Sequence, residues 1–354
     1  MNTILVFNVG SSSVKYAVFQ QGECVLKENF ERIKTQKDRN KIVRKIALTL
    51  AQNRLKPTQI GHRIVHGANL THTTKITPDV RLQLTQIADL AILHTIAELQ
   101  VVDFCEALFN VAQYAVFDTA FHHTIPQKNH MYAIPKIFYE HGIRKYGFHG
   151  ISHEFVTSGL KGNVISCHLG SGCSITAIQN GKSIQTSMGF TPLDGLMMGT
   201  RCGSIDAGVI PHLVKHEHMT LTQINQMLNE ESGLLAIGGS NDLRDLLSAK
   251  NKNAKLAVAM YVQRIIETIG SYIAVLGGVD TIVFTAGTGE QSPIIREKIC
   301  DAFVYIGLKI DVRRNKNASA VQTIISTDKS KVKVLVIPTN EELAIAQKIA
   351  EQIK

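Results

Sequence analysis

Two stretches of this chain repeat one design at a fixed separation. Residues 3–9 (TILVFNV) are apolar and β-branched, GSSS at 10–13 is a turn, residues 14–20 (VKYAVFQ) are again strand-like, and CVLKENF follows the Gln21-Gly22 turn. NVISCHL from residue 163, GSGC at 170–173, SITAIQ, the Asn180-Gly181 hairpin signal and KSIQTSM return in the same order. Gly10 aligns with Gly170, Ser11 with Ser171 and Ala17 with Ala177, all at an offset of 160. A single Gly/Ser hairpin carries little weight, because most bind nothing. Repeated, the two antiparallel meanders, each with a turn whose N–H groups and hydroxyls can face an anion, imply two similar domains around a cleft.

The 354 residues, 44% of them apolar, suffice for two cores. A net charge of +9 suits anionic partners, but charge alone does not choose among nucleic acid, lipid and small phosphorylated or carboxylated metabolites. With 6% aromatics and no Trp the chain is poorly equipped to stack on bases, so no nucleic-acid partner is expected. Gly, His or charged residues interrupt every apolar run, LAILHTIAELQVV included, so no membrane span is expected. Cys24, Cys105, Cys167, Cys173, Cys202 and Cys300 form no CxxC pair, and the N-terminus lacks a signal-peptide pattern; free thiols in the cytoplasm are the expectation.

VDTIVFTAGTGEQSPIIREKI reads as a buried strand, a glycine loop and a helix with Ser292 as N-cap and Pro293 at its first position, a suitable place for a nucleotide. Its glycines fit neither GxxxxGK[ST] nor GxGxxG, which disfavours Walker-loop and Rossmann enzymes. LAVAMYVQRIIETIGSYIAVLGG predicts a long amphipathic helix ending at Gly277-Gly278, in the core or at a dimer face. KTQKDRNKIVRK reads as a solvated helix face. In VIPTNEELAIAQKIA a capping box of Thr339 and Glu342 gives Glu342 a structural task and leaves Glu341 free. His149 and His153 lack the Glu of HExxH and a third ligand, which ranks zinc low.

NVGSSSVKYAVF, GHRIVHG, VFDTAFH, RKYGFHGISH, CHLGSGCS, TSMGFTPLDGLMMGTRCGSID, SGLLAIGGSNDLRDL, FTAGTGE and VIPTNEELAIA resemble, in order and from end to end, the motifs of the acetate kinase family, within the superfamily of sugar kinases and actin. The resemblance implies an α/β, two-domain actin-like (ribonuclease H-like) fold with duplicated mixed sheets around a cleft. The first domain would be 1–119 plus 343–354; the second, 120–342, would hold the nucleotide and the dimer interface. It also implies reversible, direct in-line transfer from ATP to acetate, or propionate, giving the acyl phosphate and ADP, with Mg²⁺ or Mn²⁺, in a homodimer.

A carboxylate acceptor is already deprotonated at pH 7, so this chemistry needs no general base; it needs charge neutralisation. By resemblance Arg63 and Arg201 grip the acid or the transferring phosphoryl group, His149 donates to its oxygens, and Asp118 orients an arginine or a magnesium-bound water. Asn8 and Glu341 are the magnesium candidates. Ser11, Ser13 and Lys15 would line the phosphate path. His168, Leu169, Gly170, Ser171, Gly172, Asp242, Leu243, Arg244, Gly287, Thr288, Gly289, Glu290 and Gln291 would hold ATP. Beside Arg63 the acid pocket would be Val65, Leu93, Phe148 and Pro192, small and apolar; one methylene there is worth only about 1–3 kcal/mol, so acetate and propionate are not separated.

The chain departs from the family where GSG replaces GNG, giving Ser171 a shorter reach than an amide, and where LHTIAEL replaces LHNP, removing a stiffening proline. Gln291 stands in place of an Asn near the adenine, and the chain is shorter than typical members, with losses before GHRIVHG and between ISH and CHLG. These departures motivate a competing expectation, a degenerate nucleotide-binding protein without turnover; a kinase for another short-chain carboxylate and a sugar or polyol kinase are further alternatives. Retention of Arg63, Asp118, His149, Arg201 and Glu341 favours an active enzyme.

Overall fold

The computed structural model describes residues 2–10, 13–33, 35–88, 92–318 and 321–352, with backbone alone at 92–94; Ser11 and the Leu93 side chain fall outside. The chain forms two compact units, Met1–His123 with Phe148–Phe155 and Asn340–Lys354, and Thr124–Gly147 with Val156–Thr339. The segment Phe148–Phe155 thus belongs to the first unit, although the sequence placed it within the second.

In the first unit, β1 (Thr3–Val9), β2 (Ser13–Gln20) and β3 (Glu23–Glu31) form an antiparallel meander, and β4 (Gln59–Ile64), β5 (Thr74–Lys75) and β6 (Ala112–Phe117) complete a sheet of order β3-β2-β1-β4-β6-β5. β1, β4 and β6 run parallel, while β5 returns antiparallel at the edge. In the second unit, β7 (Asn163–Leu169), β8 (Cys173–Gln179) and β9 (Lys182–Thr186) form the second meander. With β10 (Thr281–Thr285), β11 (Thr323–Ile324) and β12 (Lys333–Val336) they give the order β11-β12-β10-β7-β8-β9. The two orders are one topology, strand for strand, and β1 and β7 keep the 160-residue offset. Each meander also carries a bulge, at Val18/Phe19 and at Ala177/Ile178.

β1 is buried along its whole length because both its faces are covered. Leu5, Phe7 and Val9 pack with Val43, Ile46 and Leu50 of the helix Gln36–Gln52 and with Ala97, Val101 and Cys105 of the helix Ile92–Leu108. Ile4 and Val6 on the other face meet Ile345 and Ile349 of the helix Glu341–Gln352. That helix lies so close to β4 that a Cβ at Gly61 would stand 2.2 Å from Ile349 Cδ1 and 2.8 Å from Ile345 Cγ2, so a side chain there would have to displace both isoleucines. The basic stretch before Gln52 is a helix with a Thr35–Asp38 capping box, but it is not solvated all round: Arg39 is buried and donates Nε and Nη2 to Gln100 Oε1.

In the second unit the helix Lys252–Leu276 starts at the Asn251 cap and ends where Gly277 turns left-handed at φ 72°. It buries one face and exposes Leu256, Met260 and Val275 on the other. Ser292 occupies the N-cap of the helix Pro293–Asp301, as expected, but makes no side-chain cap bond. The carboxy-terminal helix corrects the capping assignment. Asn340, not Thr339, is its cap, receiving Leu343 N at 3.0 Å, so the third helical residue is Leu343 and Glu342 is not committed to a capping box.

Candidate active site

The acid-binding candidates of the first unit gather where the parallel strands end. Arg63, near the end of β4, donates Nε to Asp118 Oδ1 (3.1 Å) and Nη2 to Asp118 Oδ2 (2.6 Å). Its Nη1 donates to Asn8 Oδ1 (3.1 Å) and lies 3.4 Å from Glu341 Oε2. Asp118 follows β6, so adjacent parallel strands deliver the pair side by side. Burial raises the Asp118 carboxyl against the pull of the Arg63 guanidinium and of the His149 N–H, and the surrounding acids raise Arg63. The pair is held by a two-point fork, the geometry in which arginine and carboxylate bind most strongly.

Asp118 also fixes His149. Besides receiving the His149 N–H on its carboxylate, it receives Gly150 N on its main-chain oxygen at 2.8 Å. His149 sits at φ 56°, a left-handed conformation unusual for a non-glycine residue, and a Cβ at Gly150 would strike Asp118 O at 2.2 Å. Phe148 is buried, with its carbonyl bonded to His122 Nε2, and Val65 is buried on the residue after β4.

Asn8 bridges two acids, donating Nδ2 to Glu341 Oε2 and to Glu342 Oε1, each at 2.9 Å. The sequence argument set Glu342 aside; the shift of the cap to Asn340 frees it to join Glu341. Asn8 itself is engaged on both ends of its amide, so it orients the two glutamates. Lys15 is in register with Asn8 across β1 and β2 and is exposed there. Sequence reasoning also missed Glu98, whose two oxygens accept from Val65 N at 3.3 and 3.2 Å. Its only sequence signal was an acid between the apolar residues Ala97 and Leu99. Burial pushes it up to about 8, with Arg63 and the Val65 N–H opposing.

The nucleotide candidates of the second unit lie on its glycine turns. In the turn between β7 and β8, Gly170 N bonds Gly172 O and Ser171 is exposed. Leu169 and Leu243 point into the core, so only their backbone is available to a ligand, and His168 is buried. Asp242 caps the helix Leu243–Ser248 and pairs with exposed Arg244, which with the Arg244 N–H lowers it to about 2. After β10, Gly287 and Gln291 are exposed, whereas Gly289 is buried. Thr288 bonds Tyr261. Glu290 does not face outward as an ATP contact would. Its Oε1 accepts from Ala286 N (2.9 Å) and Thr339 N (3.0 Å), which holds the loop's own backbone. Fully buried Arg296 braces the same loop by donating to Gly289 O and Glu290 O.

Arg201 contrasts with Arg63. Its Nη1 reaches only neutral atoms, Pro192 O at 3.3 Å and Met198 Sδ at 3.9 Å, and no ion pair to it occurs among the described residues. Burial lowers it without a carboxylate to compensate. A half-buried guanidinium in that state is suited to receive an anion.

One mixed-sheet topology used twice, with a forked arginine at the strand ends of one copy and glycine turns in the other, defines an actin-like kinase. A putative N-acetylmannosamine kinase from Listeria monocytogenes has the same fold, with a TM-score of 0.50 at 13% identity. The acetokinase family model matches residues 25–347, and the chain belongs to the acetate kinase family. It is 42% identical to the acetate kinase of Thermoanaerobacterium thermosaccharolyticum over 99% of this chain and 100% of the relative. With that of Alkaliphilus metalliredigens it shares 46% over 81% and 76%. Among solved structures, Porphyromonas gingivalis acetate kinase gives a TM-score of 0.89 at 35% identity, covering both chains completely. A Francisella tularensis propionate kinase gives 0.89 at 37%, covering 98% and 99%. The enzyme is a kinase that phosphorylates acetate with ATP.

Proposed function

We propose that the Arg63 cluster holds the acetate carboxylate and that Arg201 and His149 stabilise the phosphoryl group in flight. The observation that carries this assignment is the fork between Arg63 and buried Asp118, which fixes the plane of a partly buried cation while Nη1 remains on the side of Asn8 and Glu341. The acceptor carboxylate attacks the γ-phosphorus in line, ADP leaves, and no side chain removes a proton because none is there to remove. Buried Val65 and Phe148 would exclude water from the acyl end, and Pro192 remains an expectation of the resemblance. The glycine turns at Gly170–Gly172 and Gly287–Gly289 supply backbone donors for ATP.

The donor set around Asn8 fits magnesium. One arginine faces Asp118 and Glu341, with Glu342 adjoining, and this surplus of acids is oxygen-based throughout. Glu341 and Glu342 would hold the ion with Asn8 orienting them. Among the described residues no group of three or more His, Cys, Asp or Glu converges, which suits an ion that takes its other oxygens from water and phosphates. When bound, magnesium neutralises phosphate charge.

The exposed apolar residues Leu256, Met260 and Val275 of the helix Lys252–Leu276 are what supports a homodimer through the second unit. The free cysteines favour a reducing cytoplasm. Among the described residues no helix is long and apolar enough to cross a membrane.

Trapping with hydroxylamine tests the assignment. Purified enzyme with ATP, Mg²⁺ and acetate should yield the coloured hydroxamate, and EDTA should abolish it. Clean protein that forms no acyl phosphate from acetate, propionate or butyrate would overturn the reading.

A further inference from the structure

We infer that Glu98 is a positioning residue for the acid half of the site, acting through the main chain of Val65. The inference rests on the assignment of Arg63 and Val65 to the acid.

β4 pairs with β6 as far as Ile64 opposite Phe117, so the N–H of Val65 leaves the ladder and enters the protein interior. A buried main-chain donor must find an acceptor. Glu98, 1% exposed in the helix Ile92–Leu108, meets it with both oxygens at 3.3 and 3.2 Å. The contact lies two residues beyond Arg63 and at a proposed pocket residue. It therefore fixes the direction in which the strand end carries both groups.

The chemistry of the surroundings suits an acceptor of this reach. Arg63 and Asp118 are the charged groups that act on Glu98, and one turn earlier the fully buried Thr95 hydroxyl has no hydrogen-bond partner among the described residues. The helix thus presents a polar edge, Thr95 and Glu98 at i and i+3, to the interior of the acid half. This edge falls within LHTIAEL, the segment where the chain departs from its family. A glutamate there substitutes a side-chain tether on the strand end for the local stiffness of the missing proline.

Steady-state kinetics of Glu98→Asp, Glu98→Ala and Glu98→Gln test this. Asp withdraws the acceptor by one methylene, Ala removes it, and Gln keeps an oxygen at the same reach. Asp and Ala should raise the KM for acetate about tenfold with the KM for ATP within about twofold of the parent, and Gln should restore the parent KM. An unchanged acetate KM in folded Glu98→Asp would overturn the inference, and so would equal increases in both KM values or a Gln variant no better than Ala. Arg63→Ala is the control: if it leaves the acetate KM intact, the assignment of the acid site is wrong. If it raises that KM while the Glu98 variants do not, only the role of Glu98 is wrong.

Discussion

Asp118 grips Arg63 along the side of its guanidinium, through Nε and Nη2, at 3.1 and 2.6 Å. One carboxylate thereby sets the plane of the cation, and through the His149 N–H it also sets the start of the helix that follows. The arginine needs no reorganisation when a second carboxylate approaches, which is the condition under which electrostatic stabilisation is most effective.

Asp118→Asn preserves shape but turns an amide N–H toward a guanidinium that can only donate. kcat/KM for acetate should fall on the order of a hundred-fold or more, with nucleotide affinity little changed. Kinetics paired with equilibrium binding of ADP would check this; parent-like turnover would mean the fork is not what orders Arg63.

Arg201→Ala and His149→Ala should each lower kcat by orders of magnitude while ADP still binds, because both groups are assigned to the transition state. A variant that retains most of its turnover removes its residue from the mechanism.

The two arginines should also separate in thermal melts. Arg63→Ala strands Asp118 and Glu341 without their cation, a loss of about 3–5 kcal/mol by analogy with other broken buried pairs. Arg201→Ala breaks no ion pair among the described residues and should leave Tm almost unchanged.

Two buried groups give stability opposite dependences on pH. His62, bonded through Nε2 to Gln113, is pushed by burial down to about 4 from 6.5. The stability it confers is complete above about 6.5 and is lost as pH falls toward 4, because the unfolded chain takes up the proton first. Glu98 is pushed up to about 8 from 4.5, so the folded state keeps a proton the unfolded chain releases, and stability declines as pH rises through that window. Melting curves from pH 4 to 9 should show both limbs, and Glu98→Gln should flatten the alkaline one alone.

Ser171 is exposed in its turn, so Ser171→Asn has room to reach a phosphate. One gained bond to a charged oxygen is worth about 1.5–3 kcal/mol at best, up to roughly ten- to a hundred-fold in kcat/KM. No gain, with ADP affinity intact, would mean that the backbone already makes the contact.

The duplicated sheets were legible because strand spacing, turn glycines and an equal offset are local and periodic signals; the common strand order of both units follows from them. Arg63, Asp118 and His149 were legible as motif members, and their mutual hydrogen bonds were not, since these arise only when β4, β6 and the segment from Phe148 converge. The capping of the last helix was misread by one residue because Thr339 and Asn340 are both good caps; which one serves depends on Thr339 being held by Glu290. Glu98 is not legible in the sequence because its partner is a main-chain N–H more than thirty positions away. Long-range partners of this kind leave no trace in spacing.

The helix Glu341–Gln352 covers Ile4, Val6, Ala17 and Phe19, yet the ribosome makes it after the whole of the second unit. During synthesis the first sheet therefore waits, one greasy side bare, while more than two hundred further residues emerge. The same late segment carries Glu341 and Glu342, the pair proposed to hold magnesium, to Asn8 of the first strand.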